Sequence, residues 1–272
     1  MGAFDNYSCE GQISIFDYFK ERDSEEQDYE NFKDRKIKAK NIFEIREIGK
    51  NTAYEFVRQY HYLGDAKFFC VQAFGLYYRP KNKLVGCATY SNPQGIVSLK
   101  GWFGFTNDCK DVYELSRLCM LPKLNGTNAT SFLLGGSIKA LKKQGFCRAV
   151  ITLACSERHV GSIYQVCNFK YYGLTDKKTD FFTEDGRVNP RGATRDVYGA
   201  WLPRPRKHRY AYILDETLKC LYEEQVRPSS SETEKLACCG GTHKVYDKRF
   251  GRWYSCPRCD GKLIRISDKI FA

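Results

Sequence analysis

The chain has 272 residues, 42% hydrophobic and 15% aromatic, enough for one sizeable core and a small appendage. Its 44 Lys and Arg against 32 Asp and Glu leave a formal net charge of +12 at pH 7, which favours a polyanionic partner. The sequence has no run of about eighteen apolar residues and no basic-then-apolar leader, so a membrane-spanning or secreted protein is not expected. The 13 cysteines are odd in number, and several stand singly in apolar stretches (Cys70, Cys87, Cys147, Cys167), as buried thiols of a cytoplasmic protein do.

Residues 1–40 read as a disordered tail, with 20–40 as a charged tether. Within it, Gln12-Ile13-Ser14-Ile15-Phe16-Asp17-Tyr18-Phe19 resembles peptides that dock on a replication sliding clamp. In such a peptide a glutamine bonds the pocket rim while aliphatic and aromatic anchors fill the pocket. The globular domain is expected over 41–226. Ile42 to Ile48 partly alternates, as a strand does, and Asn51 caps a helix reaching Tyr60. Phe68 to Tyr78 and Leu84 to Tyr90 are strands of a hairpin, Gly101 to Phe105 is a loop, and Val112 to Leu121 is a strand. Asn125-Gly126-Thr127-Asn128 turns into a helix through Lys143.

Ala149 to Ala154 is a buried strand, followed by the polar turn Cys155 to Arg158, a short helix opening near His159, and a strand from Phe169. Asp185-Gly186-Arg187 is a hairpin turn, Tyr210 to Leu214 the last strand, and a helix follows through about residue 225. A linker over 227–235 leads to a module over 236–272. Strands outnumber helices and the two alternate in the middle, which predicts an α+β or α/β fold with one mixed sheet flanked by helices.

Polar groups concentrate where a strand ends. Ser156, Glu157, Arg158, His159, Ser162 and Tyr164 lie within ten residues, at the kind of place where open sheets bind ligands. The run His159-Val160-Gly161-Ser162-Ile163-Tyr164-Gln165, with Asn168-Phe169 and Tyr172-Gly173-Leu174, resembles the signature of the Mom family of phage DNA-modification proteins. The likeness takes in Tyr60-His61-Tyr62-Leu63-Gly64, Tyr113-Glu114-Leu115-Ser116-Arg117-Leu118 and Arg206-Lys207-His208-Arg209-Tyr210. It implies a GNAT acyltransferase-like fold and a transferase that converts adenine in DNA to a carbamoylmethyl derivative at the exocyclic amine, in a bacterial cell as a phage anti-restriction device.

The resemblance implies a proton-transfer or positioning role for Tyr164 and a donor-anchoring role for Arg117. His61 and His159 are candidates for general base or substrate holder, with Glu114 and Glu157 as candidate carboxylates. Glu157 stands near the place where family members carry an aspartate. Coenzyme A is not established as donor: Asn125, Gly126, Thr127, Asn128 and Ser131 sit where GNAT enzymes cradle a pyrophosphate, without the usual glycine-rich pattern.

Arg195, Arg204, Arg206, Lys207 and Arg209 lie in a basic, proline-bearing segment suited to the phosphates of double-stranded DNA. At the C-terminus, Cys256-Pro257-Arg258-Cys259 aims two thiolates at one ion, and Cys239 with His243, or Cys238 with Cys239, completes a structural zinc ribbon. Two further readings stand beside DNA modification: an N-acyltransferase of small amines or modified bases, and a non-catalytic zinc-containing DNA-binding protein.

Overall fold

In this computed structural model the described residues are 26–34, 36–61, 63, 68–93, 96–105, 110–156, 159–183, 188–189, 199–229, 244–247 and 252–255. The clamp-like peptide Gln12–Phe19 and the zinc-ligand candidates Cys238, Cys239, His243, Cys256 and Cys259 lie outside them. Among the described residues no helix is long and apolar enough to cross a membrane.

The apolar runs become strands. These are β1 Phe43–Glu47, β2 Gln72–Tyr78, β3 Lys83–Ser91, β4 Val112–Met120, β5 Ala149–Cys155, β6 Lys170–Leu174, β7 Thr179–Thr183, β8 Val188–Asn189, β9 Gly199–Pro203, β10 Lys207–Ile213, β11 Lys244–Asp247 and β12 Arg252–Ser255. Seven of them form one sheet in the order β1-β2-β3-β4-β5-β10-β6, in which β4 and β5 run parallel. Their register covers three residues, from Val112 opposite Ala149 to Glu114 opposite Ile151. This mixed sheet with flanking helices is the expected class.

The chain divides into two compact units, residues 1–92 with 115–146 and residues 93–114 with 147–272, so β4 contributes to both. In the first unit, α1 spans 26–33, α2 Ala39–Ile42, α3 Lys50–Tyr60 and α5 Ala129–Gln144. Helix α1 corrects the expectation of a tether. Tyr29 and Phe32, three residues apart on one face, are each 2% exposed. They meet Tyr78 and Phe43 edge-on at ring separations of 5.5 and 5.1 Å. Together with Asp28, which accepts from the Tyr78 hydroxyl, and Glu26, paired with Lys123, these two aromatics dock a segment whose composition is otherwise that of a linker. Strand β1 starts one residue late, because Ile42 closes α2, and β2 starts at Gln72 rather than Phe68. Helix α5 lies against β1 at Gly136, where an added Cβ would stand 2.1 Å from Ile45 Cδ1.

In the second unit, α4 spans Ile96–Phe103 where a loop was expected. Leu99, Trp102 and Phe103 at i, i+3, i+4 bury into a core with Val112, Ala149, Ile151, Tyr172, Ala211 and Leu218. At Gly101 an added Cβ would stand 2.5 Å from Tyr222 Oη. Helix α6, Ser162–Val166, opens three residues after His159. Strand β10 begins at Lys207, earlier than expected, and takes the end of the basic segment into the sheet. The segment 214–225 is no helix: Leu221 N–H donates to Trp102 O and Gln225 N–H to Tyr171 O, so long-range bonds replace helical ones. Strands β7, β8 and β9 form a separate antiparallel sheet in the order β8-β7-β9, and β11 pairs with β12.

Arg148, just ahead of β5, bonds Asp215 at 2.8 Å and stands 3.6 Å from Asp111. Thr217 Oγ1 and N–H, together with this guanidinium, hold the Asp215 carboxyl down at about 2. A depressed carboxyl contributes stability that is complete above its unfolded value and is lost as pH falls through its folded value. The melting temperature of the wild type is therefore expected to fall between about pH 4 and pH 2 more steeply than that of Asp215→Asn. Equal slopes in calorimetric scans across that range would refute the assignment.

Candidate active site

The signature segment hangs on the end of β5. Ser156 is fully buried, and both its N–H (3.0 Å) and its Oγ (2.9 Å) donate to Arg206 O, so the turn is fastened to the segment entering β10. His159 N–H donates to Cys155 O and its side chain is exposed. Gly161 then takes the left-handed conformation (φ +79°, ψ 35°) as the N-cap of α6. An added Cβ would stand 2.7 Å from Tyr210 Cε2, 2.9 Å from Tyr164 Cδ2 and 3.2 Å from Ala154 Cβ. This glycine lets the chain lie directly on two tyrosine rings.

Tyr164 is 9% exposed, its ring packed on Phe169 and Tyr210 at 5.7 and 5.4 Å. Tyr210, fully buried, donates its hydroxyl to Val160 O and accepts from Gln165 Nε2 at 2.9 Å. Gln165 Nε2 also reaches Pro228 O, and Arg227 donates to Gln165 O and Phe169 O at 3.3 and 3.4 Å. Tyr210, Gln165 and Arg227 therefore hold the Tyr164 helix, and sequence reading gave none of them that role. The nearest signal was the place of Gln165 and Tyr210 within the family-like motifs. Burial raises the Tyr210 hydroxyl above its ordinary value, which keeps it a neutral donor.

Glu114 is half-buried on β4 opposite Ile151, while Glu157 lies outside the described residues. Among the basic residues, Arg209 departs from the phosphate-binding expectation. Its side chain is 12% exposed, donates to Leu174 O at 2.5 Å and lies 4.3 Å from the Tyr222 ring centroid. Both faces of β10 are covered at this point, and the end of β6 and the Tyr222 ring enclose Arg209. Arg206 donates its Nε to Thr175 O at 2.7 Å, Arg204 is half-buried, Lys207 is exposed, and Arg195 lies outside the described residues.

The first unit holds the remaining candidates. Arg117, half-buried on β4, donates to Ser116 O at 2.7 Å, and its guanidinium lies 5.1 Å from the Phe68 ring centroid. Phe68 in turn stacks on Tyr54 at 5.9 Å, so the cation rests on a two-ring platform. Ser116 Oγ donates to Ser91 Oγ at 2.6 Å beside it.

His61 is the C-cap residue of α3, and its Nδ1 accepts from Leu63 N–H at 3.2 Å.

The turn before α5 is closed on itself. Thr127 Oγ donates to Leu124 O and accepts from Ala129 N–H, Ser131 Oγ donates to Asn128 O, and Asn125 N–H donates to Pro122 O. Asn128 caps without a side-chain bond, and Gly126 has a positive φ with no atom within 4 Å of an added Cβ. The neighbouring Lys123 is paired with Glu26 at 2.7 Å. With its hydroxyl protons spent on its own carbonyls, phosphate binding at this turn falls to the backbone amides at the start of α5.

The Mom protein family model matches residues 42–231, which takes in the whole of both candidate clusters. The chain belongs to the Mom protein family. A comparison with curated proteins finds no match. Solved structures similar to this Mom-family chain include a ribosomal-protein alanine N-acetyltransferase from Escherichia coli, at TM-score 0.40 and 13% identity over 67% of this chain and 100% of that one. They also include a spermidine/spermine N-acetyltransferase from Vibrio cholerae, at 0.40 and 9% over 65% and 95%. A third is a GNAT family acetyltransferase from Elizabethkingia anophelis solved with acetyl-CoA, at 0.39 and 15% over 63% and 97%.

Proposed function

We propose that this Mom-family chain is a transferase that alters the exocyclic amine of adenine in double-stranded DNA by adding a carbamoylmethyl-type group. Family membership over 42–231, with the signature His159–Gln165 intact, is the observation that carries the reading. The adenine amine is a poor nucleophile because its lone pair is shared with the ring. The site must orient it, accept a proton from it and stabilise charge on the donor. The amine nitrogen bonds the electrophilic carbon of an activated carbamoylmethyl donor, the donor's leaving group departs with its electron pair, and the nitrogen gives up one proton. A duplex base must first leave the stack.

Tyr164, buried among aromatic rings, positions the flipped base or relays its proton, and Arg117 anchors the donor's negative charge. His61 and the exposed His159 are the candidates for general base or substrate holder. Plasmid DNA from cells expressing the protein is expected to resist restriction enzymes whose sites contain adenine and to remain sensitive to those whose sites lack it. Full sensitivity to both, with abundant folded protein, would move the reading to an N-acyltransferase of small amines.

The cysteine spacing at the C-terminus supports a zinc ribbon, and the β11–β12 hairpin falls between its two ligand halves. The purified chain is expected to contain stoichiometric zinc. A chelator is expected to remove it and unfold the tail, because a module of this size has too little core to fold alone. Metal-free, folded protein by elemental analysis and circular dichroism would contradict this. A sliding clamp remains the proposed partner for Gln12–Phe19, tested by whether that peptide binds a bacterial clamp.

A further inference from the structure

One end of the second unit's part of the sheet gathers positive charge from two separate segments. The last residue of β5, Cys155, stands opposite Lys207, the first of β10, and His208 stands opposite Leu174, the last of β6. The ends of β5 and β6 and the start of β10 therefore share one edge. That edge carries the signature turn together with the loops 175–178 and 204–206.

The two loops are tied by two backbone–backbone bonds and one from backbone to side chain. Thr175 N–H donates to Lys207 O at 2.8 Å, Lys207 N–H to Thr175 Oγ1 at 2.9 Å, and Arg204 N–H to Lys178 O at 2.7 Å. Lys177, Lys178, Arg204, Arg206 and Lys207 meet there, against Asp176, whose carboxylate lies 3.9 Å from Arg209. Lys177, Lys178 and Lys207 are exposed. A charge run alone is usually a solvated face. Here two runs distant in sequence are locked side by side, and Ser156 bonds the carbonyl of Arg206, so the signature turn shares their anchor.

We propose that loops 175–178 and 204–207 form one phosphate-binding edge, in which Lys177, Lys178 and Lys207 touch the phosphates and seat the DNA backbone beside the signature turn. The edge rests on the DNA-modification reading and revises which cations serve it. Lys177 and Lys178 come from outside the segment read as basic, whereas Arg209 is a structural cation. The ligand chemistry is that of a run of phosphodiesters, and its source is a duplex.

The test uses the full-length protein and a fluorescent DNA duplex, with affinity measured over a series of KCl concentrations. The double variant Lys177→Ala/Lys178→Ala is expected to bind about tenfold more weakly and to lower the salt slope by roughly 2, one for each phosphate that is no longer neutralised. Lys177→Glu/Lys178→Glu is expected to bind more weakly still, and Lys219→Ala, an exposed lysine away from this edge, to match the wild type. Both charge variants lie on a surface loop, and circular dichroism checks that they fold.

Unchanged affinity and slope in both double variants would overturn the edge while leaving DNA modification in place. A wild type that neither binds nor modifies DNA would overturn both. Binding to anionic phosphatidylglycerol vesicles in preference to the duplex would overturn the edge in favour of a membrane surface.

Discussion

Gly161→Ala is expected to dismantle the signature segment. The left-handed backbone costs a residue with a Cβ about 1–2 kcal/mol. The added methyl would also press on Tyr210 at 2.7 Å, Tyr164 at 2.9 Å and Ala154 at 3.2 Å. Overpacking of this kind costs about 1–3 kcal/mol. Neither tyrosine ring has an easy retreat: Tyr210 is fully buried and bonded to Val160 and Gln165, and Tyr164 packs on Phe169. Together the two effects predict a loss of roughly 2–5 kcal/mol in denaturant titrations, or a displaced 159–166 segment in a protein that still folds. In either case the modified nucleoside should disappear. Wild-type stability and full activity in this variant would show that the backbone at 161 is not held as described.

Arg117→Ala is expected to lower the yield of modified DNA at least about 100-fold, the scale on which loss of one preorganised charge-stabilising group usually acts. Stability should change far less, because Arg117 is half-buried and its bond to Ser116 O is local, one residue away in the chain. Arg117→Lys keeps the charge and gives up the planar face that rests on Phe68, so it should recover only part of the activity. An alanine variant with near-wild-type modification would remove Arg117 from the mechanism. A variant equally inactive and unfolded would mark it as structural, and the melting temperature separates those outcomes.

The mixed sheet was legible because its strands are long apolar runs bounded by polar turns, as at Val112–Met120 and Ala149–Cys155. What stayed hidden depended on partners distant in sequence. Nothing local to Tyr29 and Phe32 announces Phe43 and Tyr78, so α1 read as tether. The segment 214–225 has helical composition, yet Trp102 O and Tyr171 O capture its amides. In the two candidate clusters, residue types and motif order pointed to Tyr164 in one and to Arg117 and His61 in the other. The enclosure of Arg209 and the support of Tyr164 by Gln165, Tyr210 and Arg227 needed the pairing of β10 with its neighbours. The hydroxyls around Asn125–Ser131 looked available from sequence and are spent on their own turn.

The central claim is chemical modification of adenine, and mass spectrometry of nucleosides from plasmid DNA grown in expressing cells tests it most directly, beside a Tyr164→Phe control. The account predicts a deoxyadenosine heavier by a carbamoylmethyl group, present with the wild type and absent with the control. Unmodified deoxyadenosine from cells holding abundant, folded wild-type protein would contradict it.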